Sequence, residues 1–430
     1  PTQVSVVAPS LAVPWQQYTL APDGVTELQR NQDSVDVYAF NADAYASAGP
    51  ADDDPNVPAD QAKSFAGWTF DWSFVVNATN RGDGVRPLLD AGDDPILTHL
   101  VSTIVEDPAL PSSDPWSSWT LATAADSGVI APVTMADGSP AKLEATLTSG
   151  PSKSFALDLR GSAFAAEVTA NGPAVVSSAA LSFGSTREPG APNPIYGNAP
   201  TLFDAFTFGF NEPANPTCYP DDMGMCDAMA CPTGCDATAV FHFPGDLTRT
   251  IQYTDPYEAH GQELFGAVLT VRSFVTHPTT KKRVRLLSAL DVAAPAADVA
   301  GKPIEPRMGF VRGITLGGKS APVAAPTPGM GTSFEVKWSA PALGTPNAYF
   351  VRVIQWADTE LPDAVNASSV VLALLRTRET SFVLPDGILE SGHYYSISVR
   401  ADDWFDELRP NLYTSPTLSS AELSTGLFTP

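Results

Sequence analysis

Prolines and glycines divide this chain so often that little room remains for long helices. The sequence contains 40 prolines and 31 glycines among 430 residues, and a proline inside a helix removes a backbone hydrogen bond and clashes with the preceding turn. The intervening short runs are rich in Val, Thr, Phe and Tyr, which favour β-strands. DSVDVYAF (33–40) is one such run, and apolar and polar residues alternate strictly in WTFDWSF (68–74). We therefore predict an all-β fold.

The length indicates about three domains at roughly 150 residues each. We expect tandem β-sandwich domains, beginning with a β-rich domain at 1–160 that carries an uncharged apolar arm, Pro1–Pro14. A second sandwich is expected at 161–320 with a cysteine-rich loop. The Pro-, Gly- and Ala-rich stretch SAPVAAPTPGMG (320–331) then predicts a connector to a third domain at 321–430.

One segment departs from the β pattern. In DDPILTHLVSTIVEDP (93–108) apolar residues recur about every four positions, with Asp94 at an N-cap position and Pro95 at the first helical position. Pro108 follows the last periodic residue. This pattern predicts one short helix over 95–106.

Further strands are predicted between the centre of the chain and the connector. The strand-like runs are KLEATLTS, SFALDLRG, AFAAEVTA and AVVSSAALSF, all between residues 142 and 183. A longer stretch, FGAVLTVRSFVTHPTTKKRVRLLSALDV (265–292), predicts a hairpin that turns at PTTKK.

The C-terminal quarter of the chain resembles a fibronectin type III domain. FEVKWSAP places Trp338 on a B-like strand, AYFVRVIQW places Tyr349 on a C-like strand, and LESGHYYSISVRA places Tyr395 six residues after Leu389. The resemblance covers about 105 residues (322–428), although ADTELPDAVNASSV after the C-like strand is longer than the usual connection. It implies a β-sandwich, a tyrosine corner at Tyr395, and a spacer or interaction role without chemistry of its own.

All four cysteines lie in one loop, CYPDDMGMCDAMACPTGC (218–235). Their spacing lacks the close pairs of a structural zinc site and the CxxC of a redox site. The pattern favours two disulfides and therefore an oxidising compartment, with three connectivities left open. The alternative is a Cu(I) site built from Cys and Met sulfurs together with His242. The residues concerned are Cys218, Cys226, Cys231 and Cys235.

The charge balance limits the partners. A formal charge of −24 and a pI near 4.4 disfavour nucleic acids and anionic membranes. Acidic loops offer oxygen ligands for Ca²⁺, but they lack EF-hand spacing, so solvated turns are the alternative. The candidate ligands are Asp52, Asp53, Asp54, Asp90, Asp93, Asp221 and Asp222.

Three weaker patterns complete the set of candidates. Trp116 and Trp119 in DPWSSWTL are either a ligand-stacking pair or core residues. EAHGQE (258–263) could supply acid–base or metal-binding groups, or form an ordinary exposed loop. GITLGGKS (313–320) has the letters of a phosphate loop, but the proline-rich stretch after it excludes the required helix, so we interpret it as a hinge.

Together these patterns predict a non-catalytic extracellular or cell-surface protein, either adhesive or a structural subunit of a surface assembly. Expected partners are other protein subunits or surface glycans, and the Pro1–Pro14 arm is a candidate for self-assembly. The alternative is a secreted polysaccharide-binding protein or hydrolase with an appended fibronectin type III-like module. Because the sequence starts without a Met or an apolar leader, we expect any signal or lipid-anchor segment to lie outside it.

Overall fold

A computed structural model of the chain confirms the predicted all-β fold, since antiparallel sheets with few short helices make up most of the described residues. The structure describes residues 17–20, 27–30, 34–39, 44–48, 96–107, 109–111, 114–129, 146–188, 200–211, 241–259, 261–323, 326–357, 367–403 and 418–430.

The elements are numbered in chain order. The strands are β1 Gln17–Leu20, β2 Glu27–Arg30, β3 Ser34–Ala39, β4 Ala44–Ala48, β5 Ile96–Glu106, β6 Ser118–Val129, β7 Thr148–Ser149, β8 Ser152–Arg160, β9 Ser178–Glu188, β10 Thr201–Asn211, β11 Phe241–His242, β12 Asp246–Thr254, β13 Gln262–Thr276, β14 Arg283–Pro295, β15 Arg312–Leu316, β16 Lys319–Ser320, β17 Phe334–Ser339, β18 Ala348–Trp356, β19 Ser369–Thr377, β20 Ser381–Leu384, β21 Tyr394–Asp402 and β22 Leu418–Ser424. The helices are α1 Gly161–Asn171, α2 Ala296–Val299 and a 3-10 turn at Pro115–Ser117.

One large sheet runs through the molecule in the order β19-β18-β21-β22-β14-β13-β9-β10-β6-β5-β3-β4. Within the sheet β11 adds to β10 and β7 adds to β6. Three smaller described sheets are β1-β2, β12-β8 and β16-β15-β17-β20. The predicted long hairpin is confirmed, because β13 and β14 pair from Thr276↔Arg283 to Leu264↔Pro295.

The body of the molecule is a sandwich in which β8 and β12, together with α1, cover one face of the large sheet. Alternate residues of β8 point into the core, including Phe155 and Leu159, as the period of two requires. On α1, Phe164 and Val168 lie one turn apart and are buried. Phe155 stacks on Phe265 of β13, with ring centroids 4.9 Å apart.

A second sandwich forms at the C-terminal end, where the β16-β15-β17-β20 sheet faces β19, β18, β21 and β22. Trp338 packs edge-to-face on Tyr349, with ring centroids 5.3 Å apart. The Tyr395 hydroxyl accepts a hydrogen bond from the Glu390 amide (2.9 Å) and donates one to the Glu390 carbonyl (3.2 Å). The hydroxyl thereby ties the start of β21 to the preceding turn.

The two sandwiches share a strand. β22 pairs with β14 of the body through Leu418–Glu422 and with β21 through Ser420–Ser424. Their buried side chains also belong to one continuous core. The connector region is tied down on the same side, because the Thr327 amide bonds to the Leu427 carbonyl at 2.9 Å.

The domain break predicted near residue 160 coincides with no separation of sheets. β8, before this point, pairs along its whole length with β12, after it. β6 likewise pairs with β10. Described strands from both sides of residue 160 therefore build one sandwich.

The helix predicted over 95–106 is wrong, because Ile96–Glu106 is strand β5, paired with β6 and β3. Residues 96 to 100 are all buried, so both faces of this part of the strand are covered. When both faces are buried, the spacing of apolar residues does not distinguish a strand from a helix. The reverse error occurs at AFAAEVTA (163–170), which lies in helix α1. Its alanines favour a helix, and Phe164 and Val168 supply the apolar stripe.

The GITLGGKS stretch is a β-hairpin within the C-terminal sheet. Thr315 pairs with Ser320 and Leu316 with Lys319, which leaves Gly317 and Gly318 as a two-residue loop. Both glycines have positive φ, +54° and +77°, a conformation that side-chain-bearing residues adopt reluctantly. β15 also pairs with β17, so the stretch is part of the sheet rather than a hinge.

Candidate functional site

A group of charged and hydroxyl-bearing side chains meets at one end of the body. We name it the polar cluster, and its members are Lys153, Ser185, Arg187, Tyr253, Asp255, Glu258 and Glu263. Strand register brings them together, since Arg187 on β9 lies opposite Glu263 on β13, and Lys153 on β8 lies opposite Tyr253 on β12. The two pairs face each other across the sandwich.

Asp255 is the centre of the polar cluster and is fully buried. Its Oδ2 accepts hydrogen bonds from the Arg187 guanidinium and from Lys153 Nζ, the latter at 2.8 Å. Its Oδ1 accepts the backbone N–H of Tyr257 at 3.1 Å. Lys153 also reaches the exposed Glu258 at 3.0 Å, and this contact lowers the pKa of Glu258.

Glu263 is held by two hydroxyl groups. Ser185 Oγ and the Tyr253 hydroxyl each donate to Glu263 Oε1 at 2.7 Å. Burial raises the pKa of Tyr253 well above its ordinary value, and the neighbouring Glu263 carboxylate raises it further. Tyr253 therefore remains protonated at neutral pH and acts as a donor.

The turn that follows β12 closes over the polar cluster. Tyr257 is buried, and its hydroxyl is hydrogen-bonded to Thr98 Oγ1 on β5. Arg187 Nη1 donates to the Gly261 carbonyl at 3.0 Å. Both ends of the turn are thereby fixed to the large sheet.

The hydrogen bonds of the polar cluster indicate a structural role. Both oxygens of Asp255 are occupied by donors from the protein itself, and Oε1 of Glu263 accepts two hydroxyl groups. Such saturated ion pairs fix a turn, whereas general acid–base catalysis needs a carboxyl group within reach of a substrate proton. Of the residues in EAHGQE, Glu258 and Glu263 belong to the polar cluster, and His260 lies outside the described residues.

A second group of buried acids lies where the two sandwiches share β22. Asp402 on β21 is buried, and its Oδ2 accepts from Arg400 Nε at 2.7 Å. Burial raises the pKa of Asp402 to about 6, although Arg400 opposes the shift. Burial also raises the pKa of Asp291 on β14, which accepts a hydrogen bond from Ser420 Oγ at 3.0 Å.

Trp116 and Trp119 lie in the core. Asp114 caps the 3-10 turn and accepts the Trp116 backbone N–H at 2.9 Å, which directs the indole inward. Trp116 Nε1 donates to the Gly245 carbonyl at 2.9 Å, and the two rings meet edge-to-face at 5.5 Å. Because both side chains are buried, ligand stacking on this pair is wrong and packing is the correct interpretation.

Among the described residues, the longest run of exposed apolar side chains lies on the terminal strand of the large sheet, β19 (SVVLALLRT). It pairs with β18 along one side, and no other described strand pairs with its opposite side. Val370, Val371 and Leu374 are 60%, 53% and 65% exposed, and Leu372 is 38% exposed. Unprotected apolar edge strands of this kind are ready to pair with another chain.

Several predicted residues lie outside the part of the chain that the structure describes. The Pro1–Pro14 arm and WTFDWSF are among them. So are the four cysteines, Cys218, Cys226, Cys231 and Cys235, and the calcium candidates Asp52, Asp53, Asp54, Asp90, Asp93, Asp221 and Asp222. Within the described ranges, no group of three or more His, Cys, Asp or Glu side chains is arranged to hold a metal ion.

The sequence patterns missed Arg187, Asp255 and the exposed strand β19. Arg187 follows Phe183 and Ser185 on the inward face of β9, so a charged residue in phase with buried positions was the available signal. Its partner Asp255 is 68 residues away in the chain. Strand spacing alone does not reveal such a contact.

Among the described residues, no helix is long and apolar enough to span a membrane. A scan against protein-family models gives no match, and a search of curated proteins finds no similar sequence.

Proposed function

We propose that this chain is a non-catalytic extracellular or cell-surface protein that serves as a structural or adhesive subunit of a surface assembly. The observation that carries the proposal is the exposed apolar strand β19 at the end of a sheet that is continuous through both sandwiches. Such an edge suits association with another protein subunit, since its backbone groups and side chains are both available for pairing.

The joined sandwiches support a structural role. A flexible linker would let the C-terminal sandwich move as a separate module, but β22 hydrogen-bonds to strands of both units. Ser419 Oγ also donates to the Asp291 carbonyl at 3.1 Å. The C-terminal sandwich, which we propose to be fibronectin type III-like, is thereby held at a fixed angle to the body.

The remaining parts of the proposal follow from composition. Two disulfides in the 218–235 loop and an oxidising compartment fit an acidic, proline-rich β chain. The charge of −24 favours protein or glycan partners over nucleic acids. Ca²⁺ bound by the acidic loops would reduce repulsion between subunits.

The second candidate, a secreted polysaccharide-binding protein or hydrolase, draws its support from the buried acids at the shared strand. A pKa of about 6 at Asp402 resembles the raised pKa of a general acid. However, Asp402 is fully buried and bonded to Arg400. The assembly proposal therefore has the stronger structural basis.

The test is to measure the assembly state of the non-reduced full chain in Ca²⁺ and in EDTA, by light scattering and negative-stain electron microscopy. We expect dimers or larger regular particles. Deletion of residues 1–14 is the matched variant for the predicted arm, and it should shorten the particles without lowering the thermal midpoint.

A monomer of 45.3 kDa under all of these conditions would contradict the assembly proposal. Cleavage of a glycan that is abolished by one carboxylate-to-amide substitution would establish the enzymatic alternative instead. If the protein binds glycans on an array and does not cleave them, an adhesive role would be supported.

A further inference from the structure

We propose that Ser178, Arg272 and Arg285 form a binding site for a sulfate or phosphate group on the outer face of the large sheet. We name these three residues the anion site. The proposal gives the chain a ligand that the assembly function does not include, and it does not depend on that function.

Strand register brings the side chains of the anion site together. Arg272 on β13 lies directly opposite Ser178 on β9 and Leu287 on β14. Paired residues of antiparallel strands share a face, and so do residues two apart along one strand. Arg285 is two residues before Leu287 and therefore lies on this face, diagonal to Arg272. Val271, the neighbour of Arg272, belongs to the core, so the anion site is on the opposite face of the sheet.

Each side chain of the anion site bears a buried donor that no described residue accepts. Nε of Arg272, Nε of Arg285 and Oγ of Ser178 are shielded from solvent and have no hydrogen-bond partner. Ser178 as a whole is only 6% exposed. Because buried donors in folded proteins nearly always have an acceptor, three such donors on one face indicate that a ligand supplies it.

The two arginines also lack a counter-charge. Neither guanidinium forms an ion pair with a carboxylate among the described residues. Burial and the positive charge of Arg285 both lower the pKa of Arg272, so the two cations are close enough to repel each other. A bound anion would remove this repulsion and stabilise both charges.

The surrounding hairpin is cationic although the chain as a whole is acidic. The chain contains 48 Asp and Glu residues, but none of them lies within residues 264–290. The same stretch also carries Lys281, Lys282 and Arg283, and the Arg283 guanidinium lies over the Phe274 ring at 4.3 Å from its centroid. The local field of this part of the hairpin therefore attracts anions.

The number and charge of the donors favour a sulfate or phosphate group over a carboxylate. The donors come from three adjacent strands, and a bound phosphate group offers three strong acceptor oxygens, whereas a carboxylate has two. Two arginines match a group that carries up to two negative charges. Leu287, beside Arg272, is 46% exposed, so a group attached to a glycan can reach the site as well as a free ion.

Isothermal titration calorimetry of the full chain tests the proposal. The probes are sulfate, phosphate, acetate and a sulfated disaccharide, with sodium chloride holding the ionic strength constant. The test variant is Arg272→Gln with Arg285→Gln, and the matched control is Arg307→Gln with Arg312→Gln, which removes the same charge at exposed positions. We expect the test variant to bind sulfate more than about tenfold more weakly, because charge-assisted hydrogen bonds are lost. The control should bind sulfate as the wild type does.

Ser178→Ala is a second variant that should fold normally, because its hydroxyl has no described partner to lose. We expect it to bind sulfate roughly three- to tenfold more weakly and to keep the thermal midpoint of the wild type in chloride. Sulfate should raise the midpoint of the wild type above its value in chloride at equal ionic strength. The test variant should lose this increase.

The outcomes decide the proposal and its ligand. Absence of sulfate and phosphate binding, equal sulfate affinity in the test variant and the control, or acetate bound as tightly as sulfate would overturn the anion site. If the sulfated disaccharide binds more tightly than inorganic sulfate, the ligand is a group carried on a glycan; if it binds equally or more weakly, the ligand is the free ion. Light scattering of the same proteins keeps the assembly function separate, since particles that form without anion binding would leave that function standing.

Discussion

At the scale of single residues, the molecule shows how a buried charge depends on its partners. Asp255 lies fully inside the protein and is compensated by two cations and a backbone N–H. Glu258 contacts the same Lys153 from the surface, where water already solvates its charge. The two carboxylates therefore differ in burial while they share a partner, which makes them a natural pair for substitution.

We predict that Asp255→Asn destabilises the protein by about 3–5 kcal/mol, because it removes the carboxylate that compensates the buried Arg187 guanidinium. Glu258→Gln, the control, should leave the unfolding midpoint almost unchanged, since exposed ion pairs contribute little. Urea unfolding followed by tryptophan fluorescence measures both. Equal losses of stability from the two substitutions would contradict the role of Asp255 as the centre of the polar cluster.

The pKa of Asp402 predicts a specific dependence of stability on pH. Burial raises this pKa from an ordinary value of 3.8 to about 6, so between these values the folded state binds more protons than the unfolded state. Stability attributable to Asp402 therefore falls as pH rises through this window, by up to about 3 kcal/mol. The loss is complete above the folded pKa.

We expect Asp402→Asn to remove this dependence. The difference in unfolding free energy between Asp402→Asn and the wild type should shift in favour of the variant as pH rises from about 4 to 7. Denaturant unfolding at intermediate pH values provides the measurement, and Glu379→Gln, on an exposed bend, controls for the change in net charge. A difference that stays constant with pH would show that burial does not govern Asp402.

At the scale of elements, the sequence predicts the class of the fold well and fails where local pattern and packing disagree. The hairpin of β13 and β14 is predictable because alternation and a polar turn point to the same structure. In β5 the spacing of Ile96, Leu97 and Leu100 imitates a helix, but the strand is covered on both faces. Such coverage depends on distant segments and overrides periodicity.

The contacts in the candidate sites likewise divide into those between residues that are close in the chain and those that depend on distant segments. The hydrogen bonds between Tyr395 and Glu390 join residues that are five apart, and the resemblance to a fibronectin type III domain implied a contact of this kind. The contact of Arg187 with Asp255 and the free side of β19 arise only once the sheet has formed. Trp116 and Trp119 belong to this second group, because nothing near them in the chain indicates that β12 and β9 enclose their rings.

At the scale of the whole molecule, the shared strand β22 makes the two sandwiches one cooperative unit. Its residues pair on both sides, for example Ser420 with Asp291 and with Asp402. A small apolar cluster also joins Trp356 and Leu427 to Val284 and Leu286 of the body. Neither sandwich can lose its share of β22 without disturbing the other.

We therefore predict a single calorimetric transition for the two sandwiches. Ser420→Pro, which removes a ladder hydrogen bond from a central strand, should lower the midpoint of that one transition without splitting it. Differential scanning calorimetry of both proteins is the measurement. Two transitions in the wild type, of which the variant shifts only the C-terminal one, would show that the sandwiches unfold independently.

The position of β22 also has a consequence for biosynthesis. It is central in space, yet it follows every other described strand in the chain, and its contact with Asp291 closes a loop of 128 residues. While a ribosome makes the intervening segment, the outer edge of β14 has no partner and is open to pairing with other nascent chains. We therefore expect the body to complete its folding only after β22 emerges, which makes slow maturation a consequence of the topology.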